Sequence, residues 1–401
     1  MYQNMAILGA FVFIYSIVSG RIEKTFFSGA ALFIVFGLGI GPFGLGILDI
    51  KVDAGELSLL AELTLALVLF TDAANANLGV LRRNFHIPQR LLLIGLPLTI
   101  LLGFVFGFLL FGGLTLIEVA ILATMLAPTD AALGKAVVSD KAVPPDIRES
   151  LNMESGLNDG ICVPILFLFL ALAADSRTEG RPGALALKLV AEAIGIGALT
   201  GIVITVLGSW LLRFFSGRGW ISETWQQLPI VALAVTCFAV AQRLGGSGFI
   251  ASFVGGLLFG ALTRHHKSKL LLAAEGTGDT LALITWVLFG AAVIGKTAGF
   301  LTWQTVVYSL LSLTVIRILP VLISLVGMPL RTDEKMFIGW FGPRGLASIV
   351  FAVIVLDDHL PGGNTIVVTA ACTIIMSVVA HGLSANPLVA VLAGRLKKSD
   401  R

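Results

Sequence analysis

Residues 154–160 read Glu-Ser-Gly-Leu-Asn-Asp-Gly and open an otherwise apolar segment that runs from about residue 150 to residue 173. A carboxylate at the centre of a bilayer costs roughly 2.5–3.5 kcal/mol on insertion scales. Glu154 and Asp159 are therefore expensive in such a segment, and we interpret them first as functional residues. Both acids require partners elsewhere in the chain.

The composition is that of a polytopic membrane protein. Of the 401 residues 57% are hydrophobic and only 13% are charged, and the mean hydropathy is +0.96. Soluble domains carry about 25% charged residues, so a water-soluble globular chain is excluded. The three cysteines, Cys162, Cys237 and Cys372, lie far apart in apolar segments and give neither a disulfide framework nor metal-ligand spacing.

Apolar runs of about 17–25 residues, the length needed to cross a bilayer, divide the sequence into thirteen predicted spans. We place them at residues 4–20, 25–41, 57–77, 89–111, 116–137, 150–173, 185–212, 226–242, 249–263, 280–295, 301–326, 336–356 and 365–393. No Lys or Arg precedes the first run, so we expect a retained first span with the N-terminus outside rather than a signal peptide.

The distribution of basic residues agrees with this topology. The predicted cytoplasmic loops and tail contain eighteen of the 27 Lys and Arg residues, and the opposite side contains six. The remaining three, Lys135, Arg317 and Arg344, fall inside predicted spans. We therefore expect an integral, multi-pass protein of a prokaryotic cell (inner) membrane with a cytoplasmic C-terminus.

Prolines at matching positions indicate an internal repeat. They pair with separations of 223, 215 and 223 residues: Pro97 with Pro320, Pro128 with Pro343, and Pro164 with Pro387. The middle pair lies in predicted spans five and twelve, so the second copy would enter the membrane from the opposite side. Transporters are often built from such inverted repeats, with broken helices at matching positions.

Pro128 lies in the middle of predicted span five. Proline removes a backbone hydrogen bond and clashes one turn back, so we expect the helix to kink or break there and to free the Thr124 carbonyl. Free carbonyls, the Thr129 hydroxyl and the carboxylates of Asp130 and Asp159 would make an oxygen-rich site. Hard monovalent cations and protons both bind such oxygens.

Helical spacing sorts the polar residues of the 154–160 stretch. Ser155 and Asp159 lie on one face, and Glu154 and Asn158 lie on a neighbouring face rotated by about 100°. We assign the first face to an ion, with Asp159 as ligand and proton carrier and Ser155 as a hydroxyl ligand. On the second face Asn158 orients the site, and Glu154 pairs with a buried arginine, for which Arg317 is our candidate.

Four other residues keep two interpretations each. If two broken helices cross, their facing N-terminal ends bring partial positive charges together and their C-terminal ends bring partial negative charges together. Asp130 would offset the positive ends, and Arg344 would offset the negative ends. Asp130 is equally well placed as a direct ligand, whereas Arg344 is mainly structural and secondarily tunes the carboxylates. Asp72 either lines an aqueous approach or ends its span near water, and His381 is a hydrogen-bonded core histidine rather than a proton relay.

The motifs Pro128-Thr129-Asp130, residues 154–160 and Gly342-Pro343-Arg344-Gly345 together resemble the monovalent cation/proton antiporters of the NhaP and mammalian NHE type. This resemblance implies an all-α homodimer of thirteen-span protomers, with inverted repeats and two broken, crossing helices. It implies a transport core at residues 89–173 and 301–393, scaffold and dimerisation helices at 1–88 and 174–300, and a short cytoplasmic tail at 394–401.

The resemblance also implies that Asp159 alternates between a cation and protons, with Thr129, Asp130 and Ser155 around it and Asp72 at the approach. The expected cation is Na⁺, with Li⁺ or K⁺ as alternatives, and Asn158 matches the electroneutral branch that exchanges one cation for one proton. Relatives often have Glu at the position of Asp72. The side chain of Asp72 is shorter, so its contact with the ion and the choice between Na⁺ and K⁺ stay open. Such a protein is a transporter rather than an enzyme and needs no cofactor or nucleic acid.

Two other functions would use the same oxygen ligands. One is a cation channel, although the sequence has no filter-like segment. The other is a Na⁺-coupled solute symporter. Coupling to ATP has no support, since no nucleotide-binding loop is found.

Overall fold

Helices form all the regular secondary structure in the computed structural model, which describes most of the chain. The described residues are 2–22, 28–47, 54–75, 86–130, 133, 137, 140, 142–175, 184–222, 225, 228–263, 267–294 and 300–399. Within these ranges there is no strand. This agrees with the predicted all-α class, because a helix satisfies its backbone polar groups internally in an apolar surrounding.

The helices are named in chain order. They are α1 (Tyr2–Ile22), α2 (Gly29–Ile40), α3 (Ala54–Asn75), α4 (His86–Leu110), α5 (Leu116–Met125), α6 (Pro145–Asp175), α7 (Ala184–Ser216), α8 (Leu228–Arg243), α9 (Gly248–Leu262), α10 (Lys267–Leu288, continuing as the π-helical Phe289–Ile294), α11 (Trp303–Ser324), α12 (Thr332–Trp340), α13 (Leu346–Asp357) and α14 (Gly363–Ser399).

The predicted spans coincide with these helices. Span twelve corresponds to the pair α12 and α13, and span five begins on α5, while the other spans each fall on one helix. Lys135 and most of the second half of span five lie outside the described residues. By length and composition seven of the described helices can cross a membrane, namely α1, α4, α6, α7, α10, α11 and α14. The exact number of crossings stays a prediction.

Prolines have two different effects on the described helices. Pro164, Pro320 and Pro387 lie inside α6, α11 and α14, which continue through them. Pro128 and Pro343 lie in non-helical backbone, at residues 126–130 after α5 has ended and at residues 341–345 where α12 gives way to α13. We call these two stretches the extended segments. Pro343 therefore lies at a break between two described helices. At Pro128 the helix α5 has ended, and most of the second half of span five lies outside the described residues.

Residue contacts divide the chain into two compact units. The first comprises residues 1–57, 84–158 and 283–401, and the second comprises residues 58–83 and 159–282. In the first unit α4 packs on α5 and α11 packs on α14, whereas in the second unit α7 and α8 pack on α9. The division into transport core and scaffold stays a prediction.

Glycines allow some of these helices to touch through their backbones. A Cβ on Gly256 or Gly260 of α9 would overlap the carbonyl oxygen of Phe70 or Ala74 in α3. Small residues four apart commonly let membrane helices approach in this way. Gly37 has the same role in α2, where a Cβ would overlap the Val287 carbonyl oxygen.

Candidate functional site

Two short helices lead into the two breaks, and both begin with a similar contact. Ahead of α5, the Glu118 carboxylate accepts a hydrogen bond from the Thr115 N–H at 2.9 Å. Ahead of α12, the Glu334 carboxylate accepts one from the Arg331 N–H at 2.8 Å. These first residues are 216 apart in the sequence, close to the 215 that separate Pro128 and Pro343. This matching start supports the interpretation of the two segments as an inverted repeat.

The two extended segments contact each other directly. The Asp130 N–H donates to the Pro343 carbonyl at 2.8 Å. The Asp130 carboxylate accepts from the Leu346 N–H at 2.9 Å and from the Leu133 N–H at 3.3 Å. Because Leu346 is the first residue of α13, Asp130 places its negative charge at the positive end of that helix. This geometry matches the dipole-partner interpretation of Asp130.

Arg344 has the opposite role. Its side chain is fully buried, and Nη1 donates to the carbonyls of Ala127 and Pro128 at 3.2 Å each and of Gly342 at 3.3 Å. Nη2 donates to the Ser312 carbonyl at 3.3 Å. The guanidinium thus satisfies carbonyls that the end of α5 leaves free, which agrees with the structural interpretation of Arg344.

One detail of the predicted break is wrong. The Thr124 carbonyl is not free, because the Ala127 N–H donates to it at 3.2 Å as the chain tightens after α5. The carbonyls released by the break are those of Met125, Ala127, Pro128 and Thr129, which accept hydrogen bonds from the side chains of Ser348, Arg344 and Ser155.

Glu154 and Arg317 form the ion pair that the sequence suggested. Nη1 and Nη2 of Arg317 approach Oε1 and Oε2 of Glu154 at 2.5 and 2.8 Å, and both side chains are about 3% exposed. This two-pronged geometry is the strongest form of an arginine–carboxylate contact. A Cβ on Gly342 would overlap the Arg317 side chain, so the second extended segment passes directly over the pair.

Thr129 is held by the helix that carries the 154–160 stretch. The Ser155 hydroxyl donates to the Thr129 carbonyl, and Asn158 Nδ2 donates to Thr129 Oγ1 at 2.8 Å. All three side chains are buried. In the part of the chain that the structure describes, Asn158 Oδ1 accepts no hydrogen bond. Polar oxygen atoms therefore gather at the break in α5.

Asp159 follows Asn158 in α6 and lies one turn after Ser155. Its side chain is buried, and it is the first residue of the second unit. Asp72 also belongs to the second unit, near the end of α3, and is partly buried. The first unit thus brings seven of the predicted residues together: Thr129, Asp130, Glu154, Ser155, Asn158, Arg317 and Arg344.

Sequence reasoning missed the serines that hold the two extended segments. Ser377 Oγ accepts from the Arg344 N–H at 2.7 Å, and Ser348 Oγ donates to the Met125 carbonyl at 2.8 Å. His381 lies one turn after Ser377, with Nδ1 2.9 Å from the Ser377 carbonyl and Nε2 2.9 Å from the Trp340 carbonyl. The i, i+4 spacing of Ser377 and His381 was the available signal, and His381 is a hydrogen-bonded core residue as expected.

The donors at the break are oxygen atoms rather than the usual ligands of transition metals. Among the described residues, no group of three or more His, Cys, Asp or Glu side chains could hold a metal ion. Hydroxyl, amide and carboxylate oxygens are instead typical ligands of hard cations.

The fold and this site define a class of membrane protein in which inverted repeats place broken helices, charges and oxygen ligands around one point. The chain belongs to the family of the transmembrane sodium/hydrogen exchangers, whose model matches residues 7–391. The family resemblance of the motifs is thereby confirmed.

Several antiporters are similar to this chain in sequence. The Na⁺/H⁺ antiporter of Schizosaccharomyces pombe is 26% identical over 436 residues, which cover 99% of this chain and 92% of the relative. The K⁺/H⁺ antiporter NhaP2 of Shewanella oneidensis is 22% identical, with 83% and 57% covered. Na⁺/H⁺ antiporter 2 of Zygosaccharomyces rouxii is 26% identical over 89% of this chain. The chain spans 47% of that last relative, about half its length.

The fold is also that of a solved structure. The sodium proton antiporter MjNhaP1 of Methanocaldococcus jannaschii at pH 8 superimposes with a TM-score of 0.79 and 19% identity, covering 95% of this chain and 99% of MjNhaP1. The expected antiporter fold is therefore confirmed, and the protein is an integral, multi-pass membrane protein.

Proposed function

We propose that this protein exchanges a monovalent cation for H⁺ by alternating access. The observation that carries the proposal is the arrangement at the break in α5. There Ser155 and Asn158, which lie within one turn of Asp159 on α6, both donate hydrogen bonds to Thr129. The names of the relatives, which are Na⁺/H⁺ and K⁺/H⁺ antiporters, support the same function.

Asp159 is the proposed carrier. A bare carboxylate is costly in the apolar part of a membrane. Either a cation or a proton cancels its charge, so the occupied site can move between the two faces and the empty one cannot. Because the cation and the proton bind the same carboxylate, the inward movement of one ion is coupled to the outward movement of the other.

The neighbours of Asp159 suit this task. The Ser155 hydroxyl donates its hydrogen bond to the Thr129 carbonyl, so the lone pairs of the Ser155 oxygen are available to a cation. Asn158 holds the Thr129 side chain and brings no second negative charge. One carboxylate accommodates one cation or one proton, which supports electroneutral 1:1 exchange. Asp130 as a further ligand and Asp72 as an approach residue belong to the same proposal.

Na⁺ is the proposed cation. K⁺ is the alternative, since one of the relatives is named as a K⁺/H⁺ antiporter. We further propose a homodimer that needs no cofactor, with the N-terminus outside and the C-terminus in the cytoplasm. Residues 89–173 and 301–393 would move against the scaffold formed by residues 1–88 and 174–300.

The test is proton flux in proteoliposomes with Asp159→Asn. This change keeps the shape of the side chain and removes its charge, so exchange should fall to the level of empty liposomes while the protein stays folded. Asp357→Asn, which neutralises an exposed carboxylate at the end of α13, is the matched control and should retain exchange. Exchange that survives in Asp159→Asn would remove Asp159 from its role.

Titrating the flux separately with Na⁺, Li⁺ and K⁺ at clamped voltage identifies the cation. An outward cation gradient that drives protons uphill distinguishes exchange from a channel, which cannot couple the two ions. Saturable uptake of an organic solute without proton exchange would instead favour the symporter.

A further inference from the structure

We propose that a groove between α11, α12 and α14 binds one anionic phospholipid. The groove has a volume of about 980 Å³ and lies wholly within the first unit. It is separate from the proposed cation site and goes beyond the exchange function. Two features identify the ligand, an apolar channel and a charged end.

The channel is lined by apolar side chains from all three helices. Phe337 and Leu392 form a buried floor, whereas Met336 and Val391 are 43% and 49% exposed on the walls. Two of the three helices, α11 and α14, are long and apolar enough to cross a membrane. In hydrocarbon, an acyl chain is the molecule that fills an open apolar groove at no desolvation cost.

The charged end is formed by two arginines around one carboxylate. Arg331 Nη2 lies 3.0 Å from Asp333 Oδ2, and Arg395 Nη1 lies 3.9 Å from the same oxygen. Arg331 Nε also donates to Asp333 Oδ1 at 3.1 Å, which leaves its Nη1 without a part in this pair. The arginine side chains are 41% and 60% exposed. Among the residues that line the groove, one carboxylate faces two guanidinium groups, so the lining carries a net charge of +1. Glu334, whose carboxylate accepts from the Arg331 N–H, lies beside it at the start of α12 and is followed by Lys335.

An apolar channel with a basic end has the shape and polarity of an anionic lipid. Arginine binds phosphate through paired N–H groups, and basic pockets between membrane helices bind anionic headgroups. A zwitterionic lipid would fill the channel equally well but would gain less at the arginines.

The groove also reaches the break in the second repeat. Trp340 lines it and is the last residue of α12 before the extended segment. Its indole N–H donates to Ser384 Oγ at 2.8 Å, and its carbonyl lies 2.9 Å from His381 Nε2. A bound lipid would therefore restrain the helix end from which Arg344 is positioned.

The test uses the purified protein after delipidation. We would measure its unfolding temperature against increasing dioleoylphosphatidylglycerol or dioleoylphosphatidylcholine in mixed detergent micelles. The wild type should prefer phosphatidylglycerol. Arg331→Gln/Arg395→Gln should weaken that preference about tenfold or more, because each basic group contributes on the order of 1 kcal/mol. Val391→Trp, which fills the channel and keeps the arginines, should weaken it as well.

Arg218→Gln is the matched control, since it removes an exposed arginine that lies over the Phe214 ring in the second unit. It should leave the preference unchanged. Should the double variant fail to fold, Arg395→Gln alone serves, as its side chain is exposed and its ion pair is long.

An unchanged lipid preference in both groove variants would overturn the proposal. So would equal stabilisation by glycerol phosphate, which would indicate a free anion. A change in oligomeric state in the groove variants would indicate that a second copy covers the groove, and would also overturn it. Cation/proton exchange in purely phosphatidylcholine liposomes is measured in parallel, so that failure of this site is distinguished from failure of the proposed function.

Discussion

At the scale of single residues, the buried charges are satisfied by backbone groups as much as by one another. Glu154 and Arg317 form an ion pair, but Asp130 accepts from peptide N–H groups and Arg344 donates to carbonyls. Taking an ion out of water costs several kcal/mol, so each partner is essential to the other. Substitutions at these positions therefore leave an uncompensated group rather than a simple gap.

Arg317→Gln should lower the free energy of unfolding by about 3–5 kcal/mol, because it leaves the Glu154 carboxylate buried without its partner. Thermal unfolding in detergent measures the loss. Arg243→Gln, an exposed arginine at the end of α8, is the control and should change little. The double variant Glu154→Gln/Arg317→Gln should recover part of the stability, and a double variant no more stable than Arg317→Gln would contradict this explanation.

Gly345→Ala should disrupt the contact between the two extended segments. A Cβ at this position would overlap the Asp130 carboxylate, which accepts from the Leu346 N–H. We expect a loss of stability on the order of 1–3 kcal/mol and at least a tenfold fall in exchange rate. The variant is compared with Gly363→Ala, where a Cβ would have neighbours at ordinary contact distances of 3.7 and 3.8 Å. Equal behaviour of the two variants would argue against a role for this contact.

At the scale of elements, α14 fixes the second break from one side. Ser377 Oγ accepts a hydrogen bond from the Arg344 N–H, which lies within the extended segment, and His381 Nε2 contacts the Trp340 carbonyl, which lies just before it. Two residues one turn apart in α14 thus hold the segment at two points. A helix can position a non-helical segment in this manner because its own backbone hydrogen bonds are complete. The position of Arg344 is therefore set by α14 as well as by its own chain neighbours.

Ser377→Ala should leave the buried Arg344 N–H without an acceptor, at a cost of about 1–3 kcal/mol. We expect the maximal exchange rate to fall more than the apparent KM for the cation changes, because Arg344 supports the break rather than touching the ion. Ser16→Ala, an exposed serine whose hydroxyl donates only within α1, is the comparison variant. A wild-type rate and unfolding temperature in Ser377→Ala would exclude this positioning role.

Local sequence predicted the helices well and the breaks only in part. Hydropathy placed the spans because an apolar run of sufficient length has few alternatives in a bilayer. A proline, however, breaks a helix only where other groups take over its freed hydrogen bonds. At Pro128 those groups come from Arg344 and Ser155, whereas α6 continues through Pro164. Such partners are distant in sequence, which is why Ser377 was missed. The Thr124 carbonyl was wrongly expected to be free for a local reason, because the turn after α5 brings the Ala127 N–H to it.

At the scale of the whole molecule, the scarcity of charged residues in the apolar segments explains why the Glu154–Arg317 ion pair could be predicted from the sequence. Few charges lie inside apolar segments, so the choice of partners for Glu154 was small. The division into a moving core and a scaffold is different, because it concerns the relation of whole helices to one another and has no local signal. That division remains part of the proposed mechanism.

Exchange by the whole protein should depend on pH through competition at one carboxylate. As the pH falls, protons occupy more of the Asp159 sites, so the apparent KM for Na⁺ should rise, by about tenfold per pH unit once the site is mostly protonated. The maximal rate at saturating Na⁺ should stay nearly constant. Initial rates in proteoliposomes, with equal pH on both sides and isotopic Na⁺ exchange, measure both quantities. A constant KM with a falling maximal rate would mean that protons act at another group.

The crossing of the two extended segments has a consequence for biogenesis. The carbonyls at the end of α5 are satisfied by Arg344, which is 217 residues further along than Ala127, and Asp130 finds its N–H partner 216 residues later. When the ribosome has delivered only the first repeat to the membrane, this segment still lacks both partners. The first repeat therefore stays incompletely hydrogen-bonded, with this segment exposed to water or to the insertion machinery, until the second repeat is inserted and supplies the missing partners.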